Sequence, residues 1–203
     1  MVEHHIEKKA PITFTERLRI LFKLPLLKIG LFFHSLGIKP NWITLFGLLG
    51  TVIGSYFVSQ GKLVLGGAII LAMGPIDALD GAVARAGEEV TKFGAFIDSV
   101  SDRYIEIIIY VGILWFFITQ NNILGIVLTF LASSGSVLVS YTRARAQSLG
   151  METKVGILTR FERMIVIGPS LIISQPLIGV ALVAFLANLT AFQRISDVKR
   201  QSE

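Results

Sequence analysis

The chain contains no cysteine, and only 16% of its 203 residues are charged. The lack of cysteine excludes disulfides, thiolate metal sites and a cysteine nucleophile. The chain is instead 53% hydrophobic, and much of this apolar content stands in long runs that are typical of proteins embedded in a lipid bilayer. The net charge of +5 therefore indicates cytoplasmic loops that face anionic lipid, and we expect no nucleic-acid partner.

The apolar runs predict six membrane-spanning helices. The stretch 164–193 is interrupted by Pro169 and Pro176, so it can form one long helix or two short ones. Two helices put both termini and nearly all loop Lys and Arg on the cytoplasmic side, so we expect a fifth span from near Val155 and a sixth after it. The other four predicted spans are each close to the twenty residues that cross a hydrocarbon core: about 42–59, 63–84, 94–118 and 123–142.

The first forty residues are expected to lie outside the bundle. Residues 1–14 are polar, and residues 15–37 interleave basic and apolar side chains, which predicts an amphipathic helix on the membrane surface. Pro40 and the residues beside it mark the start of the first span. We therefore predict an all-α integral membrane protein: a tail and juxtamembrane amphipathic helix over 1–40, then a six-span domain over 41–203.

Five acidic side chains fall inside the second and third predicted spans, where charge is costly and faces a cavity or a partner. Asp77 and Asp80 are three residues apart and share a helix face, whereas Asp98, Asp102 and Glu106 follow at intervals of four on the next helix. If the two faces met, their charges would repel unless a hard cation bound between them. Mg²⁺ takes oxygen ligands, and two ions can stabilise the attacking and leaving oxygens of a phosphoryl transfer.

Two other interpretations of these acids remain open from composition and spacing alone. The acids can be paired with Arg85 and Arg103 for structural reasons, or they can form a proton relay in a transporter. The segment from Asp77 to Asp102, however, reads D-x2-D-G-x2-A-R-x8-G-x3-D-x3-D. It resembles the signature of the CDP-alcohol phosphotransferase family position for position, and the six predicted spans match that family as well.

The resemblance implies a role for each matched residue. The metal, Mg²⁺ or Mn²⁺ with two ions expected, would be held by Asp77, Asp80, Asp98 and Asp102. Asp102 would also be the general base that activates an acceptor hydroxyl, because a hydroxyl is a poor nucleophile at neutral pH. The hydroxyl would attack the lipid-side phosphorus of a CDP-linked lipid, and CMP would leave.

The resemblance also implies where the CDP-linked lipid binds. Small side chains let the cytidine approach the helix backbone, and the guanidinium of Arg85 would clamp the pyrophosphate. The residues expected to contact this substrate are Asn41, Thr44, Asp80, Gly81, Ala84 and Arg85. Members of this family form homodimers, so a homodimer is expected here. The active site and both termini are expected to face the cytoplasm from the cell membrane.

Arginines at the cytoplasmic ends of the last three predicted spans bear on the acceptor. Clustered arginines can bind a phosphate group, although each can also be an ordinary basic flank of a membrane helix. The segments 140–146, 160–163 and 193–194 are similar to those of phosphatidylinositol-phosphate and archaetidylinositol-phosphate synthases. The similarity implies inositol phosphate as the acceptor, held by Arg143, Arg163 and Arg194, with Arg145 and Arg160 nearby.

Two other functions are alternatives to an inositol-phosphate transferase. Glycerol 3-phosphate also carries a phosphate, so a phosphatidylglycerol-phosphate synthase could use the same arginines. A cation-binding transporter would distribute its charged sites along a pathway through the membrane, whereas here they are confined to the predicted cytoplasmic third. The sequence therefore favours a membrane transferase that uses a CDP-linked lipid and a phosphorylated polar acceptor.

Overall fold

A computed structural model describes residues 14–87 and 91–203, with side chains over 24–76, 79–87 and 91–203. Residues 1–13 of the predicted polar tail lie outside the described residues. Within the described ranges the chain is helical apart from short connections, which confirms the all-α prediction. The helices are α1 Phe14–Ser35, α2 Pro40–Ser59, α3 Leu63–Ala86, α4 Lys92–Thr119, α5 Ile123–Ser148, α6 Arg160–Ile172 and α7 Pro176–Ser202.

Local sequence signals begin the helices close to the expected breaks. Gly37 turns the chain after α1 with a φ of 73°, and Pro40 is the first residue of α2. The hydroxyl of Thr91 accepts a hydrogen bond from the Gly94 backbone N–H at 2.9 Å and caps α4, and Asn122 caps α5 in the same way. Each cap satisfies a backbone donor that the first turn of a helix leaves without a partner.

The interrupted run 164–193 forms two helices. The helix α6 ends at Ile172, Ser174 adopts a left-handed φ of 56°, and Pro176 starts α7. Proline suits this position because the first residue of a helix has no N–H partner to lose. The two-helix interpretation of this stretch is therefore confirmed.

The predicted start of the fifth span is wrong. It was expected near Val155, but α6 begins at Arg160, and the residues before it are not helical. They are held along α7 instead: the Leu158 backbone N–H donates to Thr190 Oγ1 at 3.3 Å, and Gly156 has a φ of 119° that a helix cannot contain. With 13 residues, α6 is only about 20 Å long, shorter than a hydrocarbon core of roughly 30 Å.

Helices α2 to α7 close into a ring. They pack in the order α2, α3, α6, α7, α5, α4 and back to α2, and α1 packs on α3. The interior is filled by buried aliphatic side chains from every part of the ring, among them Val58, Ile70, Ile113, Ala132, Leu171 and Val183. Because successive helices reverse direction, α2, α4 and α6 start at the same end of the ring at which α3, α5 and α7 finish.

The outer surface of the ring is apolar. Large hydrophobic side chains are exposed at helical spacing along α4, whose opposite face is buried: Tyr104, Ile107, Val111, Trp115 and Ile118. Similar exposed bands follow α2, α5 and α7. An exposed apolar belt of this extent marks a surface that contacts lipid. Four helices of the described chain, α2, α3, α5 and α7, are long and apolar enough to cross a membrane, and the chain is a membrane protein.

Gly112 allows α4 to pack closely on α2. A Cβ at this position would lie 2.5 Å from the carbonyl oxygen of Ser55, a backbone atom that cannot rotate away. We therefore expect Gly112→Ala to push the two helices apart at a cost of about 1–3 kcal/mol, measured as a lower thermal unfolding midpoint in detergent. Gly74→Ala in α3 is the control, since nothing lies within 4 Å of its Cβ position. Equal midpoints for the two variants would contradict this account.

Candidate active site

The residues singled out by the sequence analysis gather at one end of the ring, hereafter the charged end. This is the end at which α2, α4 and α6 start and α3, α5 and α7 finish. The candidates come from six helices: Asn41 and Thr44 from α2, Asp77 to Arg85 from α3, Asp98 and Asp102 from α4, Arg143 and Arg145 from α5, Arg160 and Arg163 from α6, and Arg194 from α7. Helices distant in sequence thus contribute to a single region.

Asp80 is the buried carboxylate of α3. It is 6% exposed, and the Thr44 hydroxyl of α2 donates a hydrogen bond to its Oδ2 at 2.6 Å. On the α1 side, Gly30 packs so tightly that a Cβ there would lie 2.8 Å from the carbonyl carbon of Ala82. Asn41 is exposed at the start of α2, one turn before Thr44. Neighbouring helices on both sides therefore fix the position of this turn of α3.

Gly81, Ala84 and Arg85 extend the same turn toward the end of α3. The Arg85 guanidinium lies over Gly81, since a Cβ on that glycine would be 3.1 Å from Arg85 Nη1. Ala84 is half-buried and Arg85 is exposed. Small residues below an exposed guanidinium leave the helix backbone open to a flat, negatively charged ligand. The side chain of Asp77 lies outside the described residues.

Asp102 of α4 meets two arginines. It forms an ion pair with Arg160 of α6 through Oδ1, and Nη1 of Arg103 lies 3.7 Å from Oδ2. The Arg103 guanidinium also donates to the Ser99 carbonyl one turn earlier. The side chain of Asp102 is 17% exposed, whereas Asp98, one turn closer to the helix start, is exposed. The carboxylate predicted to be the base therefore lies beside a basic side chain from another helix.

The most buried of the described ion pairs at the charged end was not predicted from the sequence. Glu106, one turn beyond Asp102, accepts two hydrogen bonds from Arg163 of α6, Nε to Oε1 at 2.7 Å and Nη2 to Oε2 at 2.8 Å. Both side chains are almost fully buried. Arg163 Nη1 also donates to the Leu158 carbonyl at 3.1 Å. The sequence signal for this pair is its position: Glu106 lies one helical turn after Asp102, and Arg163 lies one turn after Arg160.

Arg194 of α7 is also buried and bonded to protein. Its Nη1 donates to the Val139 carbonyl of α5 at 2.5 Å, and its Nε donates to the Val155 carbonyl at 3.1 Å. Gln201 adds a bond to the Glu152 carbonyl at 3.0 Å. These bonds hold the connection 149–159 along α7. Any contact of Arg194 with an acceptor phosphate would have to be shared with these carbonyls.

Arg143 and Arg145 of α5 are exposed and point to different faces, as their two-residue spacing predicts. Arg145 Nη1 approaches Ser148 Oγ at 3.3 Å within its own helix. Arg143 faces the connection 149–159: the hydrogen-bonded Lys154 ammonium lowers the pKa of the Glu152 carboxyl, and the charge of Arg143 adds to that shift. The five predicted phosphate ligands thus separate into two buried ones, Arg163 and Arg194, and three accessible ones.

The donor atoms of the site suit a hard divalent cation. Asp80, Asp98 and Asp102 offer carboxylate oxygens, the ligands that Mg²⁺ and Mn²⁺ prefer, and the Thr44 hydroxyl orients one of these carboxylates. Among the described side chains, three acidic or histidine groups do not converge into one metal-sized cluster. The predicted ligand Asp77 is not part of that set, so its contribution stays a prediction.

A lipid-embedded ring whose charged end combines carboxylates from the consecutive helices α3 and α4 with arginines from α5, α6 and α7 has the features of a membrane enzyme acting on phosphate-bearing lipids. Residues 38–192 match the family model described as CDP-alcohol phosphatidyltransferase. The chain belongs to this family, which confirms the family predicted from the motif. Membership also makes the chain an enzyme and decides against the transporter alternative.

Several relatives resemble the chain over most of its length. It is 42% identical to an archaetidylinositol phosphate synthase of Pyrococcus horikoshii, a match that covers 92% of this chain and 97% of that protein. It is 32% identical to a phosphatidylinositol phosphate synthase of Streptomyces avermitilis, with 91% of this chain and 82% of that protein covered.

Solved structures share the fold. The crystal structure of Mycobacterium tuberculosis phosphatidylinositol phosphate synthase with CDP-DAG bound superposes with a TM-score of 0.78 at 27% identity, covering 85% of this chain and 92% of that chain. The same enzyme in complex with manganese and citrate gives a TM-score of 0.79 at 27% identity, covering 85% and 88%.

The Thr44–Asp80 hydrogen bond can be tested by removing only the hydroxyl. Thr44→Val keeps the shape of the side chain but leaves the Asp80 carboxylate without this donor. Because groups that orient a metal ligand typically contribute tenfold or more to metal affinity, we expect the Mn²⁺ concentration for half-maximal CMP release to rise about tenfold. Thr44→Ser restores the donor and should behave as the unchanged protein. An unaltered Mn²⁺ dependence in Thr44→Val would show that Asp80 does not hold the metal through this arrangement.

Proposed function

We propose that the chain transfers a phosphatidyl or archaetidyl group from a CDP-linked lipid to inositol phosphate and releases CMP. The single observation that carries the proposal is the ion pair between Asp102 and Arg160. It joins the last aspartate of the family motif to a basic residue of α6. The residue that would bind the acceptor phosphate, Arg160, and the residue that would take the proton of the acceptor hydroxyl, Asp102, are therefore in direct contact. The names of the relatives from Pyrococcus horikoshii and Streptomyces avermitilis support inositol phosphate as that acceptor.

The donor end of the proposed reaction uses α2 and α3. Asn41, Gly81 and Ala84 would border the cytidine, and Arg85 would donate paired hydrogen bonds to the pyrophosphate. Thr44 orients Asp80 by its hydrogen bond. The bound metal, Mg²⁺ or Mn²⁺ with two ions proposed, would neutralise charge on the pyrophosphate. Its proposed ligands are the carboxylates Asp77, Asp80, Asp98 and Asp102.

The acceptor end uses α4, α5 and α6. The accessible Arg143 and Arg160 would bind the phosphate of inositol phosphate, with Arg145 nearby. Asp102 would take the proton of the attacking hydroxyl, whose oxygen forms a bond to the lipid-side phosphorus as the bond from that phosphorus to CMP breaks. For Arg163 and Arg194, contact with the phosphate stays a prediction, because their described bonds go to Glu106 and to backbone carbonyls.

The proposed membrane arrangement has six spans, α2 to α7, with α1 on the membrane surface at the charged end. The closed ring supports it, since α4 and α6 each pack between two of the ring's other helices. The short helix α6 would complete its passage with the extended residues before it. Basic residues near the charged end, among them Arg85, Arg143 and Lys199, support a cytoplasmic orientation of the site and of both termini. A homodimer remains part of this proposal.

The acceptor is tested with the purified protein, CDP-diacylglycerol or CDP-archaeol, and Mg²⁺ or Mn²⁺. Inositol phosphate, inositol, glycerol 3-phosphate and serine are supplied in turn, and CMP release is measured. We expect release with inositol phosphate and little with inositol, because the arginines would bind the phosphate. Release with glycerol 3-phosphate alone would contradict the inositol assignment, and release with none of the four would contradict the transferase proposal.

Asp102→Asn tests whether Asp102 acts as the base or mainly as a metal ligand. The amide keeps the size of the side chain but cannot accept a proton at neutral pH. We expect turnover to fall by about a hundredfold or more, while the affinity for a labelled CDP-lipid stays largely intact. Asp197→Asn, near the end of α7, provides a control for the same chemical change away from the motif. Loss of CDP-lipid affinity equal to the loss of turnover would show that Asp102 acts mainly as a metal ligand.

A further inference from the structure

Two carboxylates on α4 face two arginines on α6 with matching spacing. Asp102 and Glu106 lie one turn apart on one face of α4, and Arg160 and Arg163 lie one turn apart on α6. The first acid pairs with the first arginine and the second with the second. The two helices are therefore joined by two ion pairs at successive turns, although they are separated by α5 in the chain.

The two pairs differ in how far they are buried. The side chains of Glu106 and Arg163 are 5% and 2% exposed, and two hydrogen bonds join them in a fork. The side chains of Asp102 and Arg160 are 17% and 27% exposed and lie toward the charged end. A buried, bidentate pair resists separation because either partner alone would be an uncompensated charge in an apolar interior. The inner pair is thus the fixed one, and the outer pair is the one that substrates can reach.

Glu106 is enclosed by protein, with a side chain that is only 5% exposed. The space beside it is a cavity of ≈ 10 Å³ lined by Glu106, Ile109, Tyr110, Arg163, Met164 and Ile167. A cavity of this volume holds at most about one water molecule. Whatever Glu106 contributes to the reaction must therefore pass through Arg163.

Arg163 connects the inner pair to the start of α6. Its Nη1 donates to the carbonyl of Leu158, and the backbone N–H of Leu158 donates to Thr190 of α7. Helix α6 begins two residues after Leu158, at Arg160. The Arg163 guanidinium therefore binds Glu106 of α4 and, at the same time, the backbone just before Arg160. Through this one side chain, Glu106 fixes the start of α6 relative to α4.

We propose that Glu106 is a positioning residue of the transferase: by binding Arg163 in a fork, it sets the first turn of α6 so that Arg160 lies beside Asp102. This inference rests on the proposed function, in which Arg160 binds the acceptor phosphate and Asp102 receives its proton. Loss of the fork lets α6 shift against α4, so the acceptor is bound in the wrong place. The residues proposed to contact the CDP-lipid lie on α2 and α3, and α4, which carries two of the proposed metal ligands, stays packed on α2 and α5. We therefore expect the donor site to change little.

The test is Glu106→Gln, which keeps the size of the side chain and removes its charge. With CDP-lipid and the acceptor that supports most CMP release in the unchanged protein, we expect the KM for the acceptor to rise about tenfold. The KM for the CDP-lipid should stay within about twofold, because a uniform loss of structure would change both. Unchanged acceptor KM with a lower unfolding midpoint would make Glu106 purely structural and overturn the proposal.

Two further variants make the test specific. Tyr110→Phe, one turn along the same face, removes a buried hydrogen bond to Ser136 of α5 at 3.0 Å, and should lower the unfolding midpoint without changing either KM. Arg160→Gln should raise the acceptor KM, and adding Glu106→Gln to it should change that KM by less than about twofold, because both act through one contact. If the acceptor KM of the double variant instead rises by the product of the two single increases, Glu106 does not act through Arg160.

The outcomes separate this inference from the function on which it rests. If none of the four acceptors makes the unchanged protein release CMP, the proposed function fails. If it is active and Glu106→Gln leaves the acceptor KM unchanged, only the positioning role fails. Should Glu106→Gln not fold, Glu106→Asp replaces it, since aspartate keeps the charge but is one methylene shorter and cannot hold Arg163 in the same fork. The same split between the two KM values is then expected, and its absence counts against the proposal.

Discussion

The buried pair of Glu106 and Arg163 is the interaction on which the charged end depends. A charge inside an apolar bundle must meet an opposite charge at close range, since neither water nor lipid can stabilise it there. This requirement ties α6 to α4 across the ring, although their packing neighbours are other helices and the chain places all of α5 between them. A 13-residue helix is marginal by itself, and α6 gains a fixed position from this contact and from its packing in the ring.

At the charged end, different helices supply different kinds of side chain. Helices α2 and α3 supply Thr44 and the buried Asp80, a rigid carboxylate beside a small-residue surface. Helices α5 to α7 supply the arginines, of which the buried ones hold the connection 149–159 and the start of α6. Asp102 lies where the two groups meet. The proposed reaction between a lipid pyrophosphate and a phosphorylated alcohol would use such a meeting point, because both substrates are anionic and the proposed base would stand between them.

Much of the fold was predictable because its signals are local. Apolar runs, prolines and capping residues act within one or two helical turns, so the bounds of α2, α3 and α4 and the start of α5 follow from the sequence to within about two residues. Helix α5 continues to Ser148, six residues past the predicted end of its span. The start of α6 was not predictable in this way. The span was predicted to start near Val155, but Thr190 and Arg194, more than thirty positions later, hold the backbone of Leu158 and Val155 along α7 outside any helix.

The sequence by itself determined the family, because the eight motif positions lie within 26 consecutive residues on two helices that follow one another in the chain. Spacing on a helix translates directly into a shared face, so the acids could be grouped without coordinates. Only the tertiary structure decided how the arginines are used. Whether a basic side chain faces a substrate or a buried carboxylate depends on which helices pack together, and that is set by contacts such as Glu106 with Arg163, 57 residues apart.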